Sequence, residues 1–151
     1  MPDVEVSLRP VRISDIDDFH AHEQDPEAQA RANFQARDRT QFVVHWMTRI
    51  LGDPAVGART VLVGGAVAGS VVSWDQGGRR EVGYWLGRRF WGRGVGTRAL
   101  ALYLDVETAR PLHATADVGN TASIRLLERC GFEQIETVRE SDVEYVVLEL
   151  P

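Results

Sequence analysis

The stretch Tyr84-Trp85-Leu86-Gly87-Arg88-Arg89-Phe90-Trp91-Gly92-Arg93-Gly94-Val95-Gly96-Thr97 decides how this chain is read. It leaves a strand, crosses a loop of glycines and arginines and enters a helix. Glycines in such a loop let the backbone approach a ligand closely. The first turn of the helix adds unpaired N–H groups and the positive end of the dipole, so the place suits a phosphate or pyrophosphate. Nearby arginines can hold further phosphate charge in bidentate fashion.

Upstream, Val4, Val6 and Leu8 alternate with polar residues, as in a half-buried strand. Ser14 offers a helix cap ahead of Ile16 and Phe19, with Asp15, Asp17 and Asp18 suiting the helix start. Pro26 and Glu27 read as the first turn of a short helix, and a longer one spans Thr40 to Leu51. Strands follow in hairpin order at 60–63, 66–74 and 80–86, joined by Gly64-Gly65 and Gln76-Gly77-Gly78. Downstream the pattern predicts a helix from Val95 to Ala109 and a strand from Leu112 to Ala116. A helix capped by Asn120 or Thr121 then ends near Gly131, before strands at 132–138 and 143–150. This order predicts a mixed α/β (α+β) domain: a largely antiparallel sheet with one crossover helix at its centre.

The 151 residues, 44% apolar and 26% charged, match one ordinary domain, 1–151. No apolar run approaches the roughly 20 residues of a membrane span, and the N-terminus lacks the pattern of a signal peptide. The single cysteine, Cys130, excludes an intramolecular disulfide and an all-cysteine metal site, and no metal ligand set is read. The expected location is the cytoplasm. All 17 basic residues are arginine, which removes lysine Schiff-base chemistry and the P-loop lysine. The net charge of −5 argues against nucleic-acid binding. Within it, residues 79–98 form a basic island of six arginines against Glu81 alone. That island coincides with the glycine loop and points to an anionic ligand held there.

Gly94-Val95-Gly96-Thr97-Arg98-Ala99 also fits the dinucleotide fingerprint, with Asp117 near the place of a ribose-binding acid. The spacing speaks against that reading. Gly87 to Arg93 separate Leu86 from Gly94, whereas a dinucleotide fold turns almost at the strand end. A nicotinamide or flavin oxidoreductase is the remote alternative.

Trp91-Gly92-Arg93-Gly94-Val95-Gly96 resembles the R/Q-x-x-G-x-G/A motif of the GNAT superfamily of acetyl-coenzyme-A-dependent N-acetyltransferases. Asn120-Thr121-Ala122-Ser123 through Glu128-Arg129-Cys130-Gly131-Phe132 is similar to that superfamily's N-x-x-S…E-(K/R)-x-G-F segment. Glu81 to Leu86, and the aromatic Trp91 at the first motif position, resemble its ribosomal-protein N-acetyltransferase-like branch. The resemblance implies a GNAT fold, with a mostly antiparallel sheet of about seven strands flanked by about four helices. It implies acetyl-coenzyme A as cofactor, with amides from Arg93 through Gly94, Val95 and Gly96 to Thr97 at the pyrophosphate. Leu86, Gly87 and Arg88 would run beside the pantetheine arm, and Asn120 would contact the cofactor from the other side.

In this superfamily an amine attacks the thioester directly, so a proton must leave the amine and the departing sulfur must be stabilised. Glu81, on the strand that resembles the catalytic strand, is the expected base; pairing with Arg79 or Arg80 is its plain structural role. His20, His22, His113 and Asp117 are further groups of suitable chemistry. Many members place a tyrosine acid where this chain has Leu127, which leaves Ser123 as the candidate hydroxyl. Tyr84, Tyr103 and Tyr145 have no assigned place. Cys130 reads as a packed thiol, and Trp46, Trp74 and Trp85 as packing residues, with Trp85 also placed to line an acceptor channel. The expected acceptor is a small-molecule amine or a protein N-terminus, and the acids from Asp15 to Glu27 fit a cationic one. A homodimer is compatible with the resemblance. A binding-only acyl-coenzyme A sensor is the alternative that Leu127 keeps open.

Overall fold

A computed structural model describes residues 5–151. Its elements are β1 (Val6–Arg9), α1 (Asp15–Glu23), α2 (Pro26–Ala32), α3 (Arg39–His45), β2 (Gly57–Val63), β3 (Ala66–Gln76) and β4 (Arg79–Leu86). They continue as α4 (Val95–Tyr103), β5 (Leu112–Asp117), α5 (Thr121–Arg129), β6 (Glu133–Glu140) and β7 (Val143–Leu150). The described residues form five helices, close to the expected four. Val4 lies outside the described residues.

The seven strands form one sheet in the order β1-β2-β3-β4-β5-β7-β6. All neighbours are antiparallel except β4 and β5. That parallel contact is short: only Arg80 with Leu112 and Glu81 with His113 are in register. β4 stays paired with β3 along its whole length, and β5 with β7. From Val82 onward β4 therefore faces β5 without a strand partner, and the sheet opens into a fork.

Side chains alternate between the two faces of a strand. One face buries Val61, Val71 and Val82 against Leu100 and Tyr103 of α4 and Leu127 of α5. The other carries α1 and α3, where Ile16, Phe19, Phe42 and Trp46 pack on Ala58, Val67 and Val72. On β4 this places Val82, Tyr84 and Leu86 toward α4 and α5, and Glu81, Gly83 and Trp85 toward α1–α3.

Two helices differ from expectation. The Thr40–Leu51 stretch is α3 followed by one π-type turn, Trp46–Ile50. Asp38 and Gln41 close a capping box at its start, satisfying two orphan backbone donors. Helix α4 stops at Tyr103 instead of running to Ala109. Asp105 and Glu107 would bring negative charge to the negative end of the helix dipole. Glu107 instead accepts from Arg80 Nε at 2.7 Å and from the Ala109 amide at 3.2 Å, which fixes the chain as a loop.

Ser14 makes no side-chain cap on α1. Asp15, 2% exposed, does the anchoring. Its carboxylate accepts from Arg9 at 2.7 and 2.9 Å, from the Arg12 amide at 2.8 Å and from Thr60 Oγ1 at 2.7 Å. These bonds tie α1 to β1 and β2. Burial alone would raise this carboxyl, but the Arg9 guanidinium, the Arg12 amide and the Thr60 hydroxyl hold it down at about 2.

A carboxyl depressed from its unfolded value near 4 contributes stability above that value and loses it as the pH falls toward 2. The expected outcome for Asp15→Asn is a loss of about 3 kcal/mol at neutral pH, roughly 6–12 °C in Tm. The variant's stability should also flatten between about pH 4 and 2, where the parent's falls, as calorimetric melts over that range would record.

Candidate functional site

The end of β4 enters the glycine loop through a short 3₁₀ turn, Arg88–Phe90. Phe90 is buried in the core, and the Trp91 indole N–H donates back to the Leu86 carbonyl at 3.2 Å. The loop is thus held at both ends of its turn. Gly94 sits at φ +74°, a conformation that L side chains avoid, immediately before α4. Gly96 is glycine for a different reason: a Cβ there would collide with Leu126 Cδ1 of α5 and lie 3.1 Å from Leu86 Cδ1. The first α4 amide to pair within the helix is Arg98, which donates to Gly94 O at 3.1 Å. The Val95, Gly96 and Thr97 amides precede it and have no intrahelical acceptor.

These amides border a cavity of about 420 Å³, within the range of small-molecule and cofactor sites. The cavity wraps the C-terminal end of β4, at the mouth of the fork. Tyr84 and Leu86 line it from one face of β4, Trp85 from the other, with Ala28, Arg31 and Ala32 of α2 and Asn120, Ser123 and Leu126 beside them. Past Gly94, Thr97 and Arg129 it joins a second depression along α4, lined by Arg98, Ala101, Leu102 and Asp105.

Of the residues expected at a cofactor, Leu86, Gly94, Val95, Gly96, Thr97 and Asn120 line the cavity, as does Ser123. Gly87, Arg88 and Arg93 do not. Arg88 turns outward to α2, with Nη1 on Glu27 at 2.7 Å and Nε on Asp25 at 3.0 Å. Arg93 donates to Arg89 O at 3.4 Å and is exposed. Arg80 is likewise taken by Glu107 and Asp75. Acids therefore neutralise much of the basic island. The cavity's own arginines are Arg31, Arg125 and Arg129, which the run of charges in the sequence did not indicate. Arg31 stacks over the Trp91 ring at 4.2 Å, a contact that fixes it at the cavity wall.

Ser123 does not cap its own helix. Asn120 does, accepting from the Ser123 amide at 3.3 Å. The Ser123 hydroxyl is instead 2.5 Å from the Tyr84 hydroxyl. Burial pushes the Tyr84 phenol up to about 12, with the Ser123 bond pulling the other way. At neutral pH this pair is a protonated donor set. The sequence signal for Tyr84 is its position, one strand period from Leu86 on the face turned to α5. Leu127 is buried in the core and 1% exposed, so it lines nothing.

Glu81 lies outside the cavity lining, on the α1–α3 face at the last register pair before the fork. Burial raises its carboxyl, opposed by His113 and Arg79 nearby. The raised value suits a group that takes up a proton. His113 is buried beside it, with Nε2 3.0 Å from Glu149 Oε2. His22 is set against Gly87, and burial lowers its pKa. His20 contacts Gln24 on the exposed side of α1, and Asp117 accepts from Asn33 at 3.1 Å. The Cys130 thiol is half-buried against Thr97 O at 3.5 Å, and burial pushes its pKa up, away from a reactive thiolate. Trp85 donates to His22 O at 3.1 Å and meets the Phe34 ring edge-on.

At this point the sheet forks beside free helix amides and a glycine loop. Residues 5–133 match the family described as Acetyltransferase (GNAT) domain, and the chain belongs to that family. The aminoglycoside acetyltransferase AAC(6')-Ib in complex with coenzyme A superposes with a TM-score of 0.78 at 18% identity, over 95% of this chain and 94% of that one. The same enzyme with paromomycin and acetyl-coenzyme A gives 0.81 at 17%, over 96% and 92%. A GNAT-family acetyltransferase from Bacillus anthracis gives 0.75 at 16%, over 97% and 95%. No curated protein sequence matches the chain. No helix among the described residues is long and apolar enough to cross a membrane.

Gly94→Ala puts a Cβ into open space but forces it to φ +74°, at a cost of about 1–2 kcal/mol. The variant should fold with Tm lowered by roughly 2–8 °C, measured by thermal melting.

Proposed function

We propose that the chain is an acetyl-coenzyme-A-dependent N-acetyltransferase, formed as one catalytic domain over residues 1–151, that acetylates a primary amine. The observation that carries this reading is the cavity at the mouth of the fork, with unpaired amides at its α4 end and protonatable groups on either face of the sheet. The residues fit the cofactor. The Val95, Gly96 and Thr97 amides with Arg125 and Arg129 suit its phosphates, and the apolar wall of Leu86 and Leu126 suits its arm. When bound, acetyl-coenzyme A supplies the acetyl group in activated form. Structures of proteins of similar fold contain coenzyme A or acetyl-coenzyme A, which supports the same ligand here.

The chain's own residues divide the work by face. Glu81, on the α1–α3 face, takes the proton from the incoming amine. Tyr84 and Ser123, on the α5 face, hold hydroxyl protons where negative charge on sulfur needs a partner. A phenol held near 12 keeps its proton, so the pair stabilises that charge by hydrogen bonding. Trp85 and Phe34 line the approach for the acceptor. Resemblance to the ribosomal-protein branch in Glu81 to Leu86 and Trp91 supports a protein N-terminus; the aminoglycoside-bound neighbour supports a small polyamine-like acceptor. A cytoplasmic enzyme is the setting proposed.

Thermal melting with acetyl-coenzyme A, desulfo-coenzyme A and NADH in parallel tests the reading. Ligand at about 100 times Kd adds roughly 2.7 kcal/mol, so the coenzyme A compounds should raise Tm by about 5–10 °C and NADH should not. A shift with NADH alone overturns the proposal. Glu81→Gln should keep the coenzyme A shift while turnover with an amine falls by about 10²–10⁴-fold. Full retention of the shift without turnover in the parent would favour an acyl-coenzyme A sensor.

A further inference from the structure

One row of residues crosses five strands on the α1–α3 face of the sheet. Trp74 of β3 is in register with Glu81, Glu81 with His113, His113 with Glu149 of β7, and Glu149 with Glu133 of β6. Directly opposed residues share a face, so a carboxylate, an imidazole and two carboxylates stand side by side. The row begins at the last paired residues before the fork and ends on an edge strand. Exposure rises along it: His113 is 4% exposed, the Glu149 side chain 33%, and Glu133 is exposed.

His113 is the unusual member. Its Nε2 is 3.0 Å from Glu149 Oε2, while its buried Nδ1 has no hydrogen-bond partner. A buried ring nitrogen without a partner is costly. Packing alone does not call for an imidazole here, since Val147, two residues from Glu149 on the same face, fills a buried position with a plain aliphatic side chain. A proton carrier needs two nitrogens, one of them free to receive.

We propose that Glu81, His113 and Glu149 form a proton relay leading from the fork to the exposed edge of the sheet at Glu133. The relay rests on the N-acetyltransferase reading and extends it. The ammonium N–H bond of the acceptor breaks, its electron pair stays on nitrogen and the proton bonds to a Glu81 oxygen. Glu81 and His113 are register neighbours with no direct hydrogen bond between them, so the protonated carboxyl turns to the open Nδ1 of His113 and passes the proton there, while Nε2 releases one to Glu149. Glu149 gives it to water at the edge, and the row returns to its starting charge. His113 is a positioning residue that acts through Glu81. Other groups facing the row are Arg79 on β4, Asp117 on β5, Tyr145 on β7 and Glu136 on β6. From α1, His22 lies at the far end of β4 against Gly87.

The test is an NMR titration of the His113 ring in the parent, Glu81→Gln and Glu149→Gln proteins, with no ligand or turnover required. Each variant removes a neighbouring negative charge, so the titration curve of the ring should differ from the parent's in both. The kinetic companion is His113→Asn. Its kcat should fall about tenfold or more, with acceptor KM and the coenzyme A melting shift unchanged. The acid limb of its kcat/KM profile should move to higher pH, because the His113 ring acts to lower the Glu81 pKa and the variant removes it. A purely structural role would change melting and KM without moving that limb. An unchanged His113 titration in Glu81→Gln overturns the relay, as does a His113→Asn enzyme with the parent's kcat and acid limb. A parent that turns over no amine overturns the transferase reading itself, while the titration still decides whether the groups interact.

Discussion

The site depends on the parting of β4 from β5 after a single short stretch of parallel pairing. Each strand is fully paired on its other side, so the sheet is two well-bonded halves joined at Arg80–Leu112 and Glu81–His113. Every ladder bond forgone along the fork gives up about 0.5–1.5 kcal/mol and leaves a backbone edge able to bind something extended. Helices α4 and α5 pack on one face of the sheet and α1 and α3 on the other. The gap brings groups on opposite faces of the sheet to the same place. Glu81 and His113 stand on one side of it, Tyr84 and Ser123 on the other.

Electrostatics follows from the same geometry. An arginine matters to the cavity only if its charge is not already spent on a neighbour. Arg80 and Arg88 are engaged by acids from distant segments, and they serve to hold the loop after α4 and the helix α2 in place. Arg125 and Arg129 make no ion pair among the described residues and line the cavity. Low-dielectric walls and free amides at the α4 terminus concentrate positive potential at that end.

Most of the fold was legible because its signals are local. Alternation marked the strands, glycine pairs marked the hairpins, and the glycine loop marked the entry into α4. The misjudged features are those that tertiary partners decide. Helix α4 stops early because Arg80 captures Glu107, 27 residues away. Asp15, not Ser14, anchors α1 because Thr60 and Arg9 converge on it. The same holds at the site. The place of Gly94 at the cavity was readable, since its left-handed φ belongs to its own loop, whereas Gly96 is glycine because Leu126 of α5 packs against it. Arg31, Arg125 and Arg129, the Tyr84–Ser123 pair and the row through His113 arise from strand register and helix packing, which no sequence spacing states.

The central claim is that the fork and the start of α4 together receive coenzyme A. Backbone amide NMR during titration with desulfo-coenzyme A tests it most directly. The account predicts that the Val95, Gly96 and Thr97 amides and those of the β4 edge, Tyr84 to Leu86, shift together and saturate together, while the β1–β2 amides stay unmoved. Saturating shifts confined to other parts of the chain, or no shift in the α4 amides at any concentration, would contradict it.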